Sequence, residues 1–396
     1  MDTPRTGTSI AIVATHPIQY QVPWFDALSR LPGVRLKVYY ALLPDNAQQG
    51  IGFGTPFKWD IPMLEGYEWE ALPNAARNPS LRGFFASSTP SIRAVLLKNR
   101  PDVVILTGWN ALPLLQALRA CVVLRIPRIV RGESNALRTR ARWVRLIHRM
   151  FLSRYDAFLA IGKANREFYL TNGIDPTRIF ACSYFVDNRR IRKGFGNSLA
   201  KRAALRAKWG IPAGKFCFLY VGKLEPKKRI LDLLNALQTA TRSADDLHLL
   251  VVGSGELAEE ARRQSDGSRL PVSYAGFLNQ TELPEAYAAG DCLVLPSDYG
   301  ETWGLVVNEA MVCGLPAIVS DRVGCGPDLI EQGITGAVFP FGEVDALAAC
   351  LVEMAADRAN ARAMGTRAEQ RIGYYSVEQA VAGTMQAVDY VLSTRP

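Results

Sequence analysis

Short apolar runs recur along this chain with helix-length polar-apolar stretches between most of them. The first half holds "SIAIVAT", "RLKVYYA", "DVVILTG", "RIVRG" and "AFLAIG", and the second half holds "FCFLYVG", "LHLLVVGSG", "VSYAG", "CLVLPS" and "PAIVSD". Each run is nearly continuous and rich in β-branched residues, the pattern of parallel strands covered on both faces. Strands that alternate with helices predict an α/β class of doubly wound, Rossmann-like parallel sheets, and the number of runs suits two sheets. The weakly periodic, basic, glycine-containing stretch "VDNRRIRKGFGNS" (186–198) reads as the linker. That divides the chain into domains at 1–188 and 189–374, with a final helix in 375–396 that packs back on the first domain. Ligands of such sheets bind beyond the carboxyl ends of the strands, so a central cleft between two such ends is expected.

Three strand-end loops of the second half hold groups suited to chemistry. In "GETWGLVVNEAMVCGLP" (300–316) the helix is expected from about Gly304 to Cys313, with Gly314 as cap and Pro316 as stop. Glu301 then precedes the helix, beside amides that favour anions. Glu309 lies about a turn and a half inside, among Val306, Val307, Ala310 and Met311. A buried carboxylate needs donors, and a sugar diol offers two; two solvated acids are the other reading. In "YVGKLEPKKRILDLLNAL" (220–237), Gly222 opens the turn, and Lys223 and Lys228 stand near a helix start. That is either a pyrophosphate site or a solvated basic turn. In "VVGSGELAEEA", Gly253 and Gly255 imitate a dinucleotide fingerprint, but the acid expected about 20 residues later is missing, so NAD is discounted.

Composition narrows the choices. The chain has 396 residues, 48% of them hydrophobic, which is too much for one ordinary core. The seven cysteines are scattered without a CxxC, and the three histidines are not at metal-ligand spacing. Core thiols, no disulfides and no metal or other cofactor are expected, in a cytoplasmic protein without secretory signal or spanning helix. Residues 1–190 carry 25 Lys and Arg against 13 Asp and Glu, and residues 191–396 carry 21 against 24, so the halves are +12 and −3. Ten arginines fall within 119–154, opposed only by Glu133. Such a field suits an anionic partner. In 136–155, Trp143, Leu146, Ile147, Met150 and Phe151 recur at helical spacing beside the arginines. That is the pattern of a helix lying on the anionic inner face of a membrane, or of a solvated basic face over a packed helix. No base-stacking aromatics accompany the charge, which argues against nucleic acid.

The same loops, with "YAGFLNQTEL" and the stretch running on to "DRVGCGPDLI", resemble the donor domain of retaining, nucleotide-sugar-dependent glycosyltransferases of the GT-B fold, family 4. The likeness covers essentially all of 216–345. More loosely, "THPIQYQVPWFDAL", "FKWDIPMLEGYEWEALPN" and "GKANREFYLTNGID" resemble bacterial surface-polysaccharide members. The resemblance implies a donor domain at 189–374 and an acceptor domain at 1–188. Glu301 would hold donor-sugar hydroxyls, Glu309 the ribose diol, and Lys223 and Lys228 the diphosphate. Amides around Thr302, Trp303, Gly304 and Leu305 would approach the sugar and phosphates, and the nucleobase would lie against Phe277 and Leu278.

Several positions depart from the family pattern. Many members have Arg at the position of Lys223, Gly at that of Arg229, and a Gly-Gly turn after the first strand where this chain has "ATHPIQYQVP". His16, Gln19 and Tyr20 offer side-chain hydrogen bonds there instead. Trp109, Asn110, Arg131, Glu133 and Ser134 follow strands of the first domain and are expected on the acceptor side. Glu133 stands close to where many members have histidine, as a catalytic group or as part of a structural Arg131–Glu133 cluster. The implied reaction moves a hexose-type sugar to a hydroxyl of a lipid-linked glycan. A glycoside hydrolase or a nucleotide-sugar epimerase is the alternative use of the same acids.

Overall fold

The computed structural model describes residues 7–394. The chain folds as two units, each built on one all-parallel sheet. The first unit takes in the chain up to Gln49, Phe57–Tyr184 and the segment from Val377; the second takes in Gly50–Pro56 and Phe185–Ser376.

Seven strands form the first sheet: β1 (Thr8–Ala14), β2 (Val34–Tyr40), β3 (Glu68–Ala71), β4 (Val103–Leu106), β5 (Arg128–Val130), β6 (Ala157–Ala160) and β7 (Ile179–Ala181). Their order is β3-β2-β1-β4-β5-β6-β7. Ile10 of β1 is in register with Leu36 of β2 on one side and Val103 of β4 on the other. All four residues of β4 and of β6 are buried, as their unbroken apolar sequences require. The helix Val377–Ser393 completes this unit, and Trp24 Nε1 donates to Thr384 Oγ1 at 3.1 Å between two buried side chains.

The second sheet has six strands: β8 (Phe216–Val221), β9 (Leu247–Val252), β10 (Val272–Gly276), β11 (Cys292–Leu295), β12 (Ala317–Ser320) and β13 (Gly336–Phe339). Their order is β10-β9-β8-β11-β12-β13. Every residue of β8 and β9 is buried. The order reverses between β8 and β11, so the loops that leave these two strands are brought side by side, and a ligand crevice forms at such a reversal. In the first sheet the corresponding point lies between β1 and β4. All seven cysteines are free thiols, six of them buried.

Two features depart from the sequence reading. Residues 186–198 are not a linker: Asn188–Leu199 is a helix of the second unit. Asp187 caps it by accepting from the Arg190 amide at 2.9 Å. Gly194, which suggested flexibility, is a packing residue, since a Cβ there would lie 2.8 Å from Pro284 Cγ of the neighbouring helix Leu283–Ala289. Charge and low hydrophobicity hid this helix because little of it besides Ile191 and Ser198 is buried. The strands β3, β7 and β13 have no counterpart among the predicted runs. All three close a sheet edge and are three or four residues long, too short to set a period.

Candidate functional site

At the reversal of the second sheet, Gly222 follows β8 and the loop 297–304 follows β11. The two loops are stitched together, because the Asp298 amide donates to the Lys227 carbonyl at 2.9 Å. Lys228 donates its ammonium to Glu301 Oε2, and the two side chains are only 13% and 15% exposed. Thus a cation from one strand end meets a carboxylate from the next, half-buried, where the strand order opens a crevice.

Beyond Glu301 the chain turns into the helix Leu305–Val312, with Gly304 as its N-cap. The loop is held from behind: Gly324 donates to the Glu301 carbonyl at 3.1 Å and Cys325 to the Trp303 carbonyl at 2.9 Å. Trp303 itself is buried, and its Nε1 donates to Asn308 Oδ1 at 2.8 Å. What Trp303 presents towards a ligand is therefore backbone, while its indole anchors the first turn of the helix. Thr302 and Leu305 are half-buried. First-turn amides of a helix have no intrahelical acceptor, so this end of the helix suits an anion.

Glu309 is not solvated decoration. It is 2% exposed, and Tyr287 of the helix Leu283–Ala289 donates to its Oε2 at 2.6 Å. The two carboxylates of the motif thus have separate partners, a lysine for Glu301 and a phenol for Glu309. They do not form a coupled acid–base pair.

Lys223 donates to the Ile51 carbonyl at 3.1 Å, and Tyr220 Oη–H holds the Lys223 carbonyl at 3.0 Å. The backbone and head of this side chain are therefore both fixed. Gly253 and Gly255 serve the packing of one loop on the next: a Cβ on Gly253 would fall 1.9 Å from the Gly222 carbonyl oxygen, and one on Gly255 2.6 Å from that of Leu224. These glycines let the loop after β9 lie directly on the loop after β8. Phe277 and Leu278, after β10, are half-buried, and Phe277 meets Phe53 edge-on at 5.0 Å.

In the first unit, His16 Nδ1 is 3.0 Å from Thr15 Oγ1, and Gln19 and Tyr20 are half-buried in the same turn after β1. Trp109, after β4, stacks on Phe168 with ring centres 6.1 Å apart, and Asn110 beside it is exposed. Arg131 was expected to face an acceptor, but its side chain is 1% exposed. Its guanidinium lies 4.4 Å from the Tyr184 ring centre and 5.5 Å from that of Trp24. Tyr184 donates to Glu133 Oε1 at 2.5 Å. Burial pushes the Tyr184 phenol well up, and the Glu133 carboxylate beside it adds to the effect, so the phenol keeps its proton and remains the donor. Arg131, Glu133 and Tyr184 are one cluster. Arg131 can reach a ligand only through its neighbours, while Glu133 is half-buried at the edge of the cluster.

The helix Arg142–Leu152 packs with only Leu152 fully buried. Trp143, Leu146, Ile147 and Met150 are 67%, 61%, 40% and 60% exposed. Phe151 is half-buried. Arg145, itself exposed, donates to the Thr171 carbonyl at 3.3 Å. The apolar stripe of this helix therefore faces solvent. No helix among the described residues is long and apolar enough to cross a membrane. No three His, Cys, Asp or Glu among them are grouped to hold a metal ion.

The sequence reading did not find Tyr287, Ile51, Phe53 or Ser254. Tyr287 sits in an apolar run, "EAYAAGD", where a tyrosine reads as core. The other three act across sequence separations of 170 to 224 residues, which no local pattern reports.

Comparison with known proteins gives one picture for both units. Residues 201–371 match the family described as "Glycosyl transferases group 1", and residues 54–184 match the "Glycosyl transferase 4-like domain". A D-inositol 3-phosphate glycosyltransferase of Streptomyces bingchenggensis is 31% identical over 223 residues, covering 54% of this chain and 48% of the relative. A GDP-mannose-dependent alpha-mannosyltransferase of Mycobacterium tuberculosis is 33% identical over 204 residues, covering 51% and 48%. The chain spans about half the length of these curated relatives. Among solved structures, Anabaena HepE in complex with UDP and glucose superposes with a TM-score of 0.70 at 17% identity, over 98% of this chain and 99% of that one. A glycosyltransferase from Rickettsia africae gives 0.76 at 14% identity, over 98% and 100%. At these identities the structural likeness establishes the fold.

Proposed function

The chain belongs to the glycosyltransferases of the GT-B fold, with a group 1 domain behind a family 4-like domain, and on that premise we propose its reaction. It transfers a hexose-type sugar from a nucleoside diphosphate to a hydroxyl of a lipid-linked glycan, with retention of configuration, in the building of cell-surface polysaccharide. The observation that carries this reading is the Lys228–Glu301 pair at the β8–β11 reversal, beside the amino end of the helix that buries Glu309.

In this reading Lys228 bridges Glu301 and the phosphate, and the carboxylate's remaining capacity takes donor-sugar hydroxyls. Lys223 faces the diphosphate from the other side of Gly222. Glu309, already held by Tyr287, takes the ribose diol, and the base lies at Phe277 and Leu278. The barrier is the separation of an oxocarbenium-like sugar from the diphosphate. Cations and oriented amides aimed at the growing phosphate charge lower it. The bond from the anomeric carbon to phosphate oxygen breaks, the acceptor oxygen bonds to the same face of that carbon, and its proton passes to the departing phosphate oxygen. No protein nucleophile is needed. Anabaena HepE is described with UDP and a Mycobacterium relative as GDP-mannose-dependent, so the chemistry the assignment draws on is the nucleoside diphosphate.

The outward apolar stripe of Arg142–Leu152, set among arginines, suits an anionic membrane surface on which a lipid-linked acceptor would be presented. One experiment tests the transfer reading. UDP- and GDP-sugars are screened for slow donor hydrolysis, and the anomer first released is assigned by NMR. The expected result is one preferred donor, hydrolysed with its anomeric configuration kept. Release of the inverted anomer, or no turnover of any nucleotide sugar, overturns it.

A further inference from the structure

Seven residues of the second unit come from far upstream in the chain. Gly50–Pro56 lies in sequence between two stretches of the first unit, yet it packs as part of the second. Its contacts fall on three loops in a row. Lys223, after β8, donates to the Ile51 carbonyl at 3.1 Å, and its Nζ lies 4.7 Å from the centre of the Phe53 ring. Ser254, after β9, donates its hydroxyl to the Phe53 carbonyl. Phe277, after β10, meets the Phe53 ring at 5.0 Å and 73°. Strands β8, β9 and β10 are neighbours in the sheet, so the segment runs as a strap across three adjacent strand ends. Its shape is locally fixed: Phe53 donates back to Gly50 at 2.9 Å, and Gly52 and Gly54 on either side of Phe53 hold φ of 91° and 73°. Such angles suit glycine, and here they turn the aromatic ring out towards the loops.

We infer that the strap is a working part of the donor site and that Phe53 is a positioning residue, acting through Lys223 on the diphosphate of the nucleotide sugar. The inference rests on the assignment of Lys223 to the donor. Lys is a flexible point charge without the planar fork of Arg, so a lysine at this position needs an external guide. The Ile51 carbonyl and the Phe53 ring are both neutral, and they orient the ammonium without discharging it. Lys228, by contrast, is held by a carboxylate. Phe277, in T-shaped contact, braces the ring that guides Lys223, and Ser254 pins the backbone that carries it.

The test measures binding of UDP, GDP and inorganic pyrophosphate to the full chain by calorimetry, alongside the thermal unfolding midpoint. Phe53→Ala keeps the backbone carbonyl that Ser254 holds and removes the ring. It is expected to weaken the nucleoside diphosphate and pyrophosphate by about tenfold, the scale of a lost partly desolvated cation–π contact. Phe53→Tyr retains the π face and is expected to bind like wild type. Lys223→Ala is expected to lose at least as much, and Phe53→Ala added to it to change nothing further. Ser254→Ala, which frees the strap from the β9 loop, is the second variant should Phe53→Ala not fold, and it is expected to weaken the same ligands. Unchanged or tighter binding by Phe53→Ala, or an undiminished effect in the Lys223→Ala background, overturns the positioning role. Wild-type affinity in Lys223→Ala, or no binding of any probe to the unaltered protein, sinks the donor-site assignment itself.

Discussion

Tyr287 and Glu309 lie on neighbouring helices, both buried, with the phenol donating to the carboxylate at 2.6 Å. A carboxylate removed from water depends on each donor it keeps. Tyr287→Phe preserves the shape and removes one of them. Stability should fall by about 1–3 kcal/mol, the cost of leaving a buried polar group short of a partner. Urea unfolding checks this, and an unchanged midpoint would mean that Glu309 does not rely on Tyr287.

Lys228→Ala leaves Glu301 half-buried without its cation and removes a charge from the site assigned to the leaving group. A loss of roughly 2–4 kcal/mol of transition-state stabilisation is expected, by analogy with a lost oxyanion donor. That corresponds to a drop in kcat of roughly 30-fold to 900-fold. In unfolding experiments the double variant Lys228→Ala with Glu301→Ala should be more stable than the sum of the two single losses predicts. Sugar transfer by Lys228→Ala at the wild-type rate would remove this lysine from the mechanism.

Arg229 stands where the family resemblance leads one to expect glycine, and its backbone gives the physical reason a glycine would suit the position. Its φ is 56°, a left-handed conformation at the start of the helix Ile230–Ala240, and its guanidinium grips Asp232 at 2.8 and 3.1 Å. Arg229→Ala keeps the strain and loses the grip, whereas Arg229→Gly relieves strain of about 1 kcal/mol. The glycine variant should therefore be the more stable of the two by about that amount. The reverse order in denaturant unfolding would contradict this.

His248, in β9, is held near a pKa of about 4 by burial first, and then by the charges of Arg206 and Lys215. Unfolded, it titrates near 6.5. Its folded value is depressed, so the unfolded state takes up the proton first as pH falls. Stability is full above about 6.5 and declines towards 4. His248→Gln should flatten the decline in unfolding midpoint between pH 7 and 5 relative to wild type. Parallel curves would mean that His248 does not set this limb.

The helix Arg142–Leu152 should bring the protein to anionic vesicles at low salt and release it as salt rises. Trp143→Ala with Leu146→Ala removes two exposed apolar side chains and should weaken vesicle binding by about tenfold or more, given ~1.5–3 kcal/mol for burying each. Co-sedimentation reads the result. Equal binding by this variant would place the attraction in charge alone.

Much of the architecture was legible because buried parallel strands write unbroken apolar runs. The expected helix from Gly304 to Cys313 is observed as Leu305–Val312, since its glycine and proline punctuation is local. Spacing alone could not tell whether Glu301 and Glu309 are solvated, because that depends on what lies opposite each of them. Lys228 settles it for one and Tyr287 for the other, and both arrive from other elements. Arg131 misled for the same reason: its surroundings are Trp24 and Tyr184, distant in sequence. The strap was invisible because its partners are three loops in the other half of the chain.

The hydrogen bond from Trp24 to Thr384 spans 360 residues. During synthesis the first unit's sheet is made early, but the helix that covers Trp24 is made only after the whole second unit. From the end of β7 at Ala181 to the helix that begins at Val377, the ribosome takes roughly 10–40 s at ~5–20 residues per second. Through that interval the nascent first unit exposes an apolar face that the finished protein hides. Chaperone dependence should be greatest for chains arrested before residue 377.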